Sequence, residues 1–223
     1  MNWKDISVFQ YQQIVDLLQK KVDEDTSYKL IGIVYKLTNA QVDSLSIGDY
    51  QNKVKEIQFI FTDIEGDPVN YINVNGRKYR FVYDVRKIPT ARYIETKVFG
   101  EDLVNNLHKI FASMVMPMKK SLIGWKDDVY DAMKHEEYAN DILEASIQDV
   151  YPSMLFFYHV YRNWMEVSQD YLIKQIEKKG VPQAKRVVQG LLKSMDGSIA
   201  PRLLPTTKIA KLQKFMNSQQ SNS

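Results

Sequence analysis

Three histidines, His108, His135 and His159, are the residues of this 223-residue chain best suited to hold a metal or move a proton. Zinc-protease chemistry needs two histidines four residues apart on one helix, with a glutamate after the first. The stretch His135-Glu136-Glu137-Tyr138-Ala139 supplies the glutamate but has alanine where the second histidine belongs. Asn105, Ala132 and Phe156 stand three residues before the histidines, so no Glu-x-x-His pair exists either. No metal site is therefore expected. The carboxylates Asp127, Asp128, Asp131, Glu136, Glu137, Asp141, Glu144 and Asp149 crowd one stretch. Acid–base pairs and carboxylate-bridged metals need such groups to converge from different elements, whereas a run along one helix reads as a solvated face.

There is no Gly-x-x-x-x-Gly-Lys phosphate loop and no Gly-x-Ser-x-Gly elbow, and the nine glycines are scattered. With no cysteine, thiol nucleophiles, disulfides and cysteine metal sites are excluded. The sequence assembles no catalytic set, so neither an enzyme nor a cofactor is expected.

Two stretches are better suited to contact than to chemistry. The first, Phe156-Phe157-Tyr158-His159-Val160-Tyr161-Arg162-Asn163-Trp164, sets aromatic rings beside an arginine. Such rings grip a partner or stack on bases, or else fill core between helices. The second is the basic end of the chain. From Leu172 on there are ten Lys/Arg and two Asp/Glu, against twenty and twenty-five in the first 171 residues. Lys174, Lys178, Lys179, Lys185, Arg186 and Lys193 could meet phosphates, meet an acidic partner or simply stay solvated.

The elements around these residues read mostly as helix. Ser7 and Gln10 match a capping box, and Tyr11, Ile14, Val15, Leu18 and Val22 make one apolar stripe, which predicts a helix over 7–23. A nearly all-apolar helix is predicted over 27–38, a turn over 39–45, and a third helix capped by Ser46. Asn75-Gly76 between alternating residues predicts a two-residue hairpin with Val74 facing Arg77 and Ile72 facing Tyr79. Its apolar face carries Ile72, Val74, Tyr79, Phe81 and Tyr83. Pro89 begins a short helix, and a stronger one with Leu107, Ile110 and Phe111 on its face ends at Pro117. Residues 118–125 read as loop, Asp127 to Asp149 as helix, Pro152 as a break, and 153–179 as the longest helix, ending at Gly180. A helix over 182–194 and a brief amphipathic one near Ile209 complete the chain. The first residues have no leader pattern, and no apolar run approaches the roughly 20 residues of a membrane span, so a cytosol-made protein without a membrane partner is expected.

Some of these patterns also occur together elsewhere. Trp3-Lys4-Asp5-Ile6 with Phe9-Gln10-Tyr11, a helix ending Tyr35-Lys36-Leu37-Thr38, the strand pair with Asn75-Gly76-Arg77-Lys78-Tyr79, the Thr90–Glu95 connector and the helix from Asn106 to Pro117 follow in order. Over residues 1–117 the chain resembles small tailed-bacteriophage morphogenesis proteins of the tail-assembly-chaperone type. Where that family carries a glycine in the connector, Arg92 stands here. The resemblance implies a non-enzymatic protein that holds or nucleates virion components, with tail or other structural phage proteins as partners, self-association, and a place in the host cytoplasm or the virion.

The expected architecture is α+β and predominantly helical, with helices packed around one β-hairpin over 1–120, a helical extension over 121–196 and a flexible basic tail over 197–223. Tyr79, Phe81, Phe157, Tyr161 and Trp164 are the candidate partner-binding residues. Lys178, Lys179, Lys185, Arg186 and Lys193 are the candidates for a nucleic-acid or acidic-partner contact. The alternative function is a virion or connector component that touches nucleic acid through this basic end.

Overall fold

The computed structural model describes residues 1–20, 25–84 and 103–179. The short helix expected at Pro89, the helices expected beyond Gly180 and the basic tail lie outside these residues.

Ser7 and Gln10 form the predicted capping box: the Gln10 N–H donates to Ser7 Oγ at 3.2 Å and the Ser7 N–H to Gln10 Oε1 at 3.1 Å. It starts α1, Val8–Gln19, whose face of Tyr11, Ile14, Val15 and Leu18 is buried. The same Gln10 amide donates to the carbonyls of Ile33 and Val34, at the end of α2, Asp25–Tyr35. One glutamine thus satisfies orphan groups at the start of one helix and the end of the next. The second helix stops short of its predicted end because Lys36 turns left-handed, at φ 55°. Thr38 and Gln41 then build another capping box, so residues read as a turn contain a short helix, α3, Asn39–Asp43. Ser46 caps α4, Ile47–Glu56, and the apolar face continues as a 3-10 turn over Ile57–Phe61.

The first hairpin is β1, Tyr71–Val74, and β2, Arg77–Phe81, in the predicted register with Ile72 opposite Tyr79 and Val74 opposite Arg77. Asn75 at φ 50° and Gly76 at φ 74° hold the left-handed conformations that a two-residue loop needs. Ile72, Val74, Tyr79 and Phe81 are buried on its inner face.

The expectation of one hairpin is corrected. The sheet has four antiparallel strands in the order β1-β2-β3-β4. The third, β3, Val115–Ser121, and the fourth, β4, Gly124–Asp127, form a second hairpin where a loop and the start of a helix were expected. A lone ribbon leaves a row of backbone groups unpaired, and β3 pairs those on the far side of β2. The helix before it, α5, Leu103–Met114, ends ahead of Pro117, which lies inside β3 opposite Tyr79. The Pro117 carbonyl accepts from the Asp128 N–H at 2.8 Å, so its ring nitrogen also faces the β4 side and the ladder to β2 loses no donor.

The helix expected over 127–149 is replaced by the end of β4, a 3-10 turn at Ala132–Lys134 and α6, His135–Glu144. The break falls at Ala145-Ser146, not at Pro152. There Ser7 and Ser146 form an antiparallel bridge: the Val8 N–H donates to the Ala145 carbonyl and the Ile147 N–H to that of Ile6, both at 2.9 Å. The last helix, α7, Ile147–Lys179, carries Pro152 within it. A single core runs from Trp3 to Phe157, with α6 packed along α5. Residue 120 lies inside β3, and this core draws on residues from both sides of it.

An added Cβ at Gly76 meets nothing within 4 Å, so replacing it costs only backbone strain. Gly76→Val should destabilise the fold by about 1–2 kcal/mol in urea unfolding, and Gly76→Asn by much less. Equal stability of the valine variant and the native chain would contradict the turn geometry.

Candidate functional site

The densest polar cluster joins the first hairpin to α6. Asp141, only 8% exposed, accepts from the Tyr79 hydroxyl, from Asn75 Nδ2 at 3.0 Å and from Arg77 Nη1 at 3.1 Å. Arg77 also bridges Glu137. Burial and then the Asp141 carboxylate hold the Tyr79 phenol well above its usual pKa, so it remains a donor. The groups of this cluster face each other across the boundary between the first hairpin and α6 and join the two elements.

A second cluster lies between α5 and α6. Ser113 Oγ stands 3.1 Å from His135 Nε2, the pairing of a nucleophile and a base, but both residues are buried. The Ser113 hydroxyl lies within reach of both the Lys109 carbonyl and the His135 ring, and the ring tautomer decides which partner donates in the second contact. Beside it Lys109 bridges Glu136 at 3.0 Å and holds that carboxyl below its usual range. His159 lies exposed on α7, next to Asn163. Among the described residues no group of three His, Asp or Glu is placed to hold a metal ion.

The aromatic candidates divide. Tyr79 and Phe81 are fully inside the core, and Phe81 stacks on Tyr83. Phe157 is buried too, with its ring 6.3 Å from that of half-buried Tyr161. The cluster therefore fills space between helices at Phe157, while its neighbours Leu155 and Phe156 remain partly exposed. Trp164 falls on α7, with its side chain outside what is described. Lys178 is exposed near the end of α7 and Lys179 is its last residue; Lys185, Arg186 and Lys193 lie outside the described residues. No described helix is long and apolar enough to cross a membrane.

The surface that the sequence did not single out is the second hairpin. From Lys119 to Asp127 every residue is exposed. Leu122 and Ile123, the two loop residues, are as open as in an extended chain, at 105% and 100%. Trp125 stands behind them, with the ammonium groups of Lys78 and Lys120 5.6 and 5.7 Å from its ring centre. At the base of the hairpin Arg80 clamps Asp127 with two hydrogen bonds and Lys119 bridges Asp128. Both carboxylates are held below their usual pKa by those partners first.

A concave surface lies elsewhere, between α1 and α2. It is a groove of about 670 Å³ with Phe9, Leu17, Ile33 and Leu37 among its apolar walls and Asp16 and Glu144 at its edge. No known protein family, curated protein or solved structure matches this chain. A signal for the second hairpin was present: Gly124, at φ 120°, follows Leu122-Ile123 and precedes an alternating Trp125-Lys126 pair.

Two measurements probe the interior clusters. Asp141→Ala leaves the buried Tyr79 hydroxyl without an acceptor and should cost about 1–3 kcal/mol from that group alone. Adding Tyr79→Phe should recover part of the loss in urea unfolding; a further, additive loss would contradict this coupling. His108 Nδ1 is buried without a partner, and burial first, then Lys109, lowers its pKa against a smaller pull from Glu136. The unfolded chain takes up this proton at about pH 6.5, while the folded chain resists it. Stability is full above that pH and declines as pH falls toward the folded value. The melting temperature should drop from about pH 7.5 to about pH 5.5, and less in His108→Gln. An identical slope in the variant would remove His108 as the cause.

Proposed function

We propose that this chain is a non-enzymatic bacteriophage assembly protein, tail-assembly-chaperone-like, that works through protein–protein contacts. The observation that carries the reading is the second hairpin. Two aliphatic side chains at the tip and a half-open tryptophan behind them are held in water, where each large apolar side chain forgoes about 1.5–3 kcal/mol of burial. An element of this kind is a contact surface awaiting its counterpart. The polar groups support the same reading, since the clusters around Asp141 and Ser113 are engaged in joining elements of this chain. The resemblance of residues 1–117 to tail-assembly-chaperone-type proteins points to other tail or structural phage proteins as the partners. Host cytoplasm or virion is the corresponding place of action.

The test is affinity capture with the tagged chain from cells infected by the phage that encodes it. Tail or tape-measure proteins should be enriched, and Leu122→Asp with Ile123→Asp should reduce that enrichment. If no virion protein is enriched, the reading fails.

A further inference from the structure

The sheet has two unlike faces. Its inner face is buried against the core, with Ile72, Val74, Tyr79 and Phe81 on it. The register places Tyr71 opposite Arg80, Lys78 opposite Met118, Met118 opposite Asp127 and Lys120 opposite Trp125, so these residues share the outer face. A solvated sheet face is ordinarily polar. This one holds two large rings in water, Tyr71 on β1 at 47% exposure and Trp125 on β4 at 42%. Lysines stand against them. Lys78 Nζ lies 4.6 Å from the Tyr71 ring centre and 5.6 Å from that of Trp125, and Lys120 Nζ lies 5.7 Å from the latter.

We propose that this outer face binds single-stranded nucleic acid, with bases stacked on Tyr71 and Trp125 and phosphates drawn to Lys78 and Lys120. Unpaired bases offer flat faces for exposed rings, and ammonium groups beside the rings meet the backbone. Because one ammonium lies against both rings, their centres are at most about 10 Å apart. Nucleotides of one strand, about 3.4 Å apart when stacked and farther when extended, reach both. A lysine has a long flexible stem, so when a base takes its place over the ring the ammonium turns to the adjacent phosphate.

Local charge and the pair of rings select this occupant. The four strands carry one carboxylate, Asp127, and Arg80 already holds it, so the strands set no free carboxylate against a polyanion. The whole chain, at +3, does not oppose one either. An acidic peptide would meet the lysines but brings no row of flat groups to the two rings. A lipid surface entered by the Leu122–Ile123 tip would reach Trp125 and leave out Tyr71, which stands on the opposite edge strand. A duplex keeps its base faces inside the stack and shows only their edges. The face is separate from the basic end of the chain, and it leaves the hairpin tip free for the protein contacts of the tail-assembly reading.

The inference does not rest on that reading, because its test uses the purified chain alone. A labelled oligothymidylate of about twelve nucleotides is titrated with the chain by fluorescence anisotropy over a series of salt concentrations. The native chain should bind it about tenfold or more tightly than a duplex of equal length. Tyr71→Ala and Trp125→Ala should each weaken binding roughly 5- to 100-fold, while Tyr71→Phe and Trp125→Phe, which keep a ring, should retain most of it. Lys78→Gln with Lys120→Gln should reduce the slope of log affinity against log salt by about 1.4. Where an alanine variant loses its native circular dichroism, the lysine variant decides instead, and an unchanged slope overturns the proposal. Absence of binding overturns it, as does binding that the alanine variants leave unchanged, which would place the strand on the basic end of the chain. Equal or tighter binding of the duplex overturns it too. So does ring-dependent binding to phosphatidylglycerol vesicles or to polyglutamate without binding to the oligonucleotide, in favour of a lipid surface or an acidic protein.

Discussion

A nearly buried carboxylate governs how this protein is put together. Asp141 is stable in the interior because three donors reach it, and all three belong to the first hairpin. Buried apolar residues hold that hairpin in place but say little about its angle; the hydrogen bonds to Asp141 fix the angle. With β2 fixed, its second edge has a defined position, and β3 pairs along it with Tyr79 opposite Pro117. The direction in which the second hairpin leaves the body follows from that chain of contacts. An acidic residue on α6 thus aims an element that it does not touch.

The sheet divides its work between an inner and an outer end. Near β1 its inward side chains are buried, and its polar groups are matched inside the chain. Toward β4 the residues are exposed on every side, and among the described residues their ion pairs lie at the base, where Arg80 holds Asp127 and Lys119 holds Asp128. Those two ion pairs are surface contacts of modest strength, yet they stiffen the root of the hairpin. A stiff projection loses less entropy on meeting a partner than a floppy one.

Local chemistry was legible in the sequence, and pairing at a distance was not. Ser7, Thr38 and Ser46 start helices through bonds to residues three positions on, and Asn75-Gly76 sets the register of β1 against β2 within a few residues. Thr38 shows the limit even there, because its box with Gln41 starts a helix in a stretch that reads as a turn. The second hairpin escaped because Pro117 is a strong stop signal in a helix, and only the position of Asp128 reveals that its missing N–H is harmless. Tyr79 and Phe81 lie on the apolar face that a two-stranded ribbon must cover, and in the fold both are buried, with Tyr138 against Tyr79 and Tyr83 stacked on Phe81. Nothing in the types of Leu122 and Ile123 marks them as surface residues, because apolar residues in sequence are expected to be buried and exposure is a property of the fold.

The bridge between Ser7 and Ser146 has a bearing on how the chain acquires its structure as it is made. The partners are far apart in sequence, and the carbonyls of Ile6 and Ala145 find their donors only when both segments are present. During synthesis the N-terminal helices emerge first and must wait, with Ile6 and the inner side of α1 uncovered, until the junction before α7 has left the ribosome. Closure of such a long loop is slow compared with helix formation. The interval in between is when the nascent chain is most open to aggregation or to capture by a folding helper. Once the bridge forms, the beginning of the protein is locked to the root of its longest helix.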